Sequence, residues 1–127
     1  MSTWLRLLLL SLVAPAVAHV VAALTYSLVF LFVAVASFPI TVVTTLILLS
    51  LLHPFFVRFR VGKWHQVPVV ILVGLSGGLM VHLLLSPATA ANTRLAVEYA
   101  AFGSLNALIS WALYNWGPLR ATHAHSL

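Results

Sequence analysis

From Leu7 to Leu52 the chain runs for 46 residues without an Asp, Glu, Lys or Arg. As one helix, at ~1.5 Å per residue, this run would measure roughly 69 Å, more than twice a hydrocarbon core of about 30 Å. It must fold back as two membrane crossings. Composition agrees, because 63% of the 127 residues are hydrophobic and 6% are charged. A soluble domain needs about a quarter of its residues charged to keep its surface wet, so the solvent of this surface is lipid.

The long run has two candidate turns. Ser37-Phe38-Pro39 carries the better local chemistry, since serine is a favoured N-cap and proline fits the first turn of a helix. Thr25-Tyr26-Ser27 is the rival. The first choice predicts helices over 13–36 and 39–57, with Met1 to Leu12 as an apolar lead-in. Two further apolar stretches, 67–86 and 95–117, are each near the ~20 residues a crossing needs and are closed by Pro87 and Pro118. The expected fold is all-α: a polytopic membrane protein with four transmembrane helices in one domain spanning 1–127. A short external loop is expected from Pro87 to Arg94, and a polar tail from Ala121.

The formal charge is +5, from six Lys or Arg against one acid. These cations sit between apolar runs, where they orient helices rather than bind nucleic acid. Arg6, Arg58, Arg60, Lys63 and Arg120 fall on one side of a four-span topology, and Arg94 falls alone on the other. Short loops rich in Lys and Arg stay cytoplasmic, so both termini are expected inside an inner (plasma) membrane. Trp4, Trp64, Tyr114 and Trp116 fall near span ends on that same side, as interfacial rings do. Met1 to Ala18 has the outline of a secretory signal, with Ala16-Val17-Ala18 as a cleavage site. Cleavage would leave the Arg58 to Lys63 loop facing out, and the charge bias favours an uncleaved chain.

Packing is legible in the last two spans. Gly74 and Gly78 form a GxxxG pair, and Ala96, Ala100, Gly103, Ala107 and Ser110 form a stripe of small residues. Lipid gives helices no hydrophobic drive to associate, so close backbone approach and interhelical hydrogen bonds must supply it. A tight antiparallel hairpin follows. Pairing the two helices about their short loop sets Gly74 level with Asn106, Gly78 level with Phe102 and Gly103, and His82 level with Glu98.

Polar residues inside spans are the candidate binding residues, because a charge at the bilayer centre costs ~2.5–3.5 kcal/mol on insertion scales. They are His82, Glu98 and Asn106. His82 and Glu98 at one depth could exchange a proton, whereas Arg94 and Glu98 at i, i+4 can pair at the surface. Asn106 is expected to donate an interhelical hydrogen bond. His19 and His53 have no His or acid at i+3 or i+4, so neither starts a helical metal motif and no cofactor is expected; His123 and His125 in the tail could chelate a metal loosely. Cysteine is absent. With Glu98 as the sole acid there is no carboxylate pair for general acid/base work, and no nucleophile elbow or phosphate loop is present.

Two functions remain as expectations. One is a non-catalytic protein that acts by helix contact with another membrane protein or with itself: an immunity factor, an assembly helper or an accessory subunit. The other is a homo-oligomeric channel or proton-linked transporter of a small solute.

Overall fold

The computed structural model describes residues 2–25, 30–85 and 93–116, the backbone alone for 30–36 and 85. The predicted external loop before Thr93, the rival turn residues Tyr26 and Ser27, and the tail with its histidines lie outside the described residues. Four helices are present: α1 (Thr3–Thr25), α2 (Phe30–Arg58), α3 (Lys63–Leu85) and α4 (Thr93–Trp116). Among the described residues there are no strands. In hydrocarbon every backbone N–H and C=O must be satisfied within the segment, which leaves the helix as the form open to these sequences. Among the described residues three stretches are long and apolar enough to cross a membrane: Thr3–Thr25, Ser37–Arg58 and Lys63–Leu84. α4 has 24 residues and the lowest hydrophobicity of the four.

The break in the long apolar run falls between Thr25 and Phe30, so the predicted turn at Ser37-Phe38-Pro39 and the helix limits 13–36 and 39–57 are displaced. α2 continues through all three residues. Ser37, read as a cap, instead spends its hydroxyl on Nε2 of His19 at 2.8 Å, a contact between α1 and α2. Pro39 sits inside the helix, as do Pro15, Pro54 and Pro68 in theirs. Hydroxyls just after Pro39 bond back into the helix: Thr41 to the Ser37 carbonyl at 2.7 Å, and Thr44 to that of Ile40 at 2.8 Å. Membrane helices tolerate proline because side chains of this kind and neighbouring helices take up freed backbone groups.

The stretch from Thr3 to Leu12, expected as part of an apolar lead-in, belongs to α1. α1 buries Leu7, Leu10, Ser11, Ala14, Pro15, Ala18, His19, Ala22 and Ala23, a stripe at three- and four-residue spacing. Half of its apolar window is buried, against 17% for α2 and for α3, which makes it the innermost helix. Leu7 and Leu10 form a core with Tyr114 of α4, flanked by Leu46, Leu49 and Leu113.

α3 and α4 form the tight hairpin. α3 buries Gln66, Val70, Gly74, Gly78 and His82 at strict four-residue spacing, one face along its whole length. A Cβ added at Gly74 would lie 2.7 Å from the Ala107 Cβ and 2.7 Å from the Gly103 carbonyl oxygen, and one at Gly78 would run into the Tyr99 carbonyl. Close contact of the backbones is what these glycines permit.

α1 packs on α2 and on α4, and α4 packs on α1 and on α3, while α2 and α3 barely touch. The bundle is a row α2, α1, α4, α3 curled into a ring that does not close. α2 ends in a Schellman motif: the Val61 N–H donates to the Phe56 carbonyl at 3.0 Å and the Arg60 N–H to that of Val57 at 3.3 Å. Arg60 holds the left-handed position with φ 50°, where glycine is the usual residue. Gln66 ties this connection down, donating to the Val61 carbonyl at 3.1 Å and accepting from Asn115 of α4 at 3.1 Å.

Candidate functional site

The unclosed side of the ring is a groove of about 410 Å³ walled by α2 and α3 and floored by α4. On α4 its lining extends from Leu95 to Tyr114, about 28 Å at ~1.5 Å per residue, close to the thickness of a hydrocarbon core. Its walls are mostly apolar, with Leu48 and Leu52 on α2 facing Val73 and Val81 on α3. At Gly77 on α3 an added Cβ would meet the Leu48 methyl of α2 at an ordinary 3.6 Å.

Most polar groups on the groove are engaged with one another, the Asn106 Oδ1 excepted. The Asn106 amide donates to the Thr45 hydroxyl at 2.8 Å, and Thr45 donates onward to the Thr41 carbonyl at 2.7 Å. Nearer the α2–α3 connection, Nδ1 of His53 lies 2.6 Å from the Tyr114 hydroxyl, the rings edge to face at 5.7 Å. These two links tie α2 to α4 across the groove floor. His19, outside the groove, has Nδ1 2.7 Å from the Pro15 carbonyl, which makes that nitrogen the donor and leaves Nε2 to accept from Ser37. Its ring stands edge to face with Phe38 and Phe102.

The candidate residues separate into three places. Gly74, Gly78, Ala100, Gly103 and Ala107 meet in the α3–α4 seam. Asn106 lies on the groove floor, its Oδ1 buried without a partner. His82 and Glu98 are not joined. Glu98 borders the groove at its far end and pairs with Arg94 at 3.3 Å, both side chains well exposed. His82 is 1% exposed, neither ring nitrogen has a hydrogen-bond partner, and its ring lies 5.1 Å from that of Tyr99. Among the described residues no three His, Asp or Glu side chains gather as metal ligands would.

At the opposite end, beside the α2–α3 connection, sits a cluster that the sequence reading missed in part. Trp64, Trp111 and Trp116 pack with centroid distances of 4.8–5.8 Å. The Trp111 indole donates to the Lys63 carbonyl at 2.9 Å, and the Lys63 ammonium lies 5.0 Å over the Trp116 ring. Tyr114, expected as an interfacial ring, is instead buried, because its hydroxyl has His53 as an internal partner. Compared with known protein families, with curated proteins and with solved structures, the chain matches none.

Proposed function

We propose that this chain is a non-enzymatic integral membrane protein that works by helix contact with another membrane protein, as an immunity factor, an assembly helper or an accessory subunit. Its place is the inner membrane, with both termini in the cytoplasm. The observation that supports this reading is the inward engagement of its polar groups: His19 on Ser37, His53 on Tyr114, Asn106 on Thr45. Glu98 is drawn to Arg94 at the surface. Groups that satisfy one another do not form a path for a hydrated solute, and what remains for a partner is apolar surface, such as Val43, Ile47 and Leu51 on α2 and Leu72, Leu79 and Leu83 on α3.

The second reading, a homo-oligomeric channel or proton-linked small-solute transporter, draws on one fact: a buried His82 with both nitrogens unbonded. The two part at Glu98→Gln and His82→Phe, expressed at matched levels in cells lacking the native chain. Contact alone predicts that both variants restore the lost phenotype, with Glu98→Gln changing stability by about 0–1 kcal/mol, as exposed ion pairs do. Loss of function in both would replace the contact reading with transport. Photo-crosslinkers at Ile47 and Leu72 in native membranes should then trap a distinct membrane protein.

A further inference from the structure

From the shape of the groove and the charge at its end, we infer that the protein binds an anionic phospholipid, one acyl chain lying between α2 and α3 and the phosphate lying among Arg58, Arg60 and Lys63. This site is independent of the contact reading above.

The bilayer decides what the groove is offered. Its lining on α4 extends from Leu95 to Tyr114, so the open side lies along most of the depth of a hydrocarbon core. The apolar molecule that the bilayer supplies at every point along that side is a lipid acyl chain. The lining is mostly apolar from Phe56 and Val70 at one end to Val81 at the other, and the Thr44 and Thr45 hydroxyls and the Asn106 amide NH2 donate within the protein.

Charge decides which lipid. The Phe59–Gly62 connection joins the two walls and so sits at the Phe56–Trp111 end of the groove. Arg58, Arg60 and Lys63 flank it, and all three are exposed. The chain's only acidic side chain, Glu98, borders the groove toward its opposite end and is held by Arg94, so no Asp or Glu side chain neutralises the three. Trp64, Trp111 and Trp116 place this end at headgroup depth, where indole rings sit. Basic pockets between membrane helices at this level are suited to anionic headgroups.

Arg60 supplies an independent pointer. It occupies the left-handed position of the α2 cap, at φ 50°, where glycine would be unstrained. A strained non-glycine residue persists where its side chain is needed, and this one adds a third cation between Arg58 and Lys63.

The test is native mass spectrometry of the full chain in mild detergent, offered equal phosphatidylglycerol and phosphatidylcholine with identical chains. The expected result is one retained phosphatidylglycerol. Each cation near a membrane surface contributes about a five-fold preference, roughly 1 kcal/mol at ~1.4 kcal/mol per factor of ten. The triple variant Arg58→Gln, Arg60→Gln, Lys63→Gln should therefore lose about a hundred-fold of that preference. Gly77→Leu, which projects into the groove, should release the lipid while the cations stay; Val73→Phe serves the same end if the first variant does not fold. Inorganic phosphate should displace the lipid poorly, and diacylglycerol should bind weakly. Equal retention of the two phospholipids, an unchanged triple variant, displacement by phosphate alone, retention in the groove-filled variants, or a bound peptide in place of lipid would each overturn the proposal.

Discussion

At Gly78 one methyl group is already too much, since a Cβ there collides with backbone rather than with a side chain that could swing aside. Gly103 is held the same way, its added Cβ running into the Gly74 carbonyl and lying 3.1 Å from the Gly78 Cα. Gly78→Leu and Gly103→Leu should each cost about 3 kcal/mol or more, the upper range for overpacking, read as a lowered unfolding midpoint in detergent. Leu72→Ala, on an exposed face, should cost about 0.5 kcal/mol or less. An unchanged midpoint for Gly78→Leu would mean that the seam opens without loss. These glycines were legible in the sequence because small residues four apart on a membrane helix have one common use. His19 and His53 were not, since their partners Ser37 and Tyr114 lie 18 and 61 residues away and no periodicity links them. His82 and Glu98 could be set at one level by counting, and so could the i, i+4 spacing by which Arg94 pairs with Glu98, which the structure contains.

Among the elements, α2 departs most from what its sequence suggests. Ser-Phe-Pro is a sound start signal where water can solvate a broken helix; in hydrocarbon a break exposes backbone, so the helix is kept and the serine turns to another helix. The GxxxG face and the apolar span of α3 needed no such tertiary knowledge and were read directly. At its other end α2 stops where the sequence places a cation cluster, yet the device that stops it, a left-handed arginine, carries no signal in a sequence without glycine at that position. Arg60→Gly should stabilise the fold by about 1 kcal/mol, because an L-residue in this conformation costs roughly 1–2 kcal/mol and glycine returns part of that as lost chain entropy. The check is the thermal midpoint, with the loss of a charge controlled by Arg60→Gln, which keeps the strain and should not stabilise. Destabilisation by glycine would show that the arginine is held by contacts outweighing its backbone strain.

For the whole molecule, the charge asymmetry sets a topology that labelling can check. A cysteine at Lys63 should stay unmodified by an impermeant reagent in intact cells, and one at Thr89 should react; the reverse pattern would invert the orientation, and equal labelling would indicate both orientations. The number of helices and the α3–α4 hairpin were open to a reader of the sequence. The groove was not, because it depends on which pair of helices fails to meet, and apolar helices of similar length give no sign of that. The order α2, α1, α4, α3 has a consequence in time. A ribosome delivers α1 first and α4 last of the four, yet α4 is the element that joins the α1–α2 pair to α3. Until it arrives, α1 has α2 alone to pack on and the small-residue face of α3 lacks the helix it is shaped for, so a nascent protein paused before α4 is two loose pieces sharing one loop. Whatever escorts such chains through insertion has its longest duty in that interval.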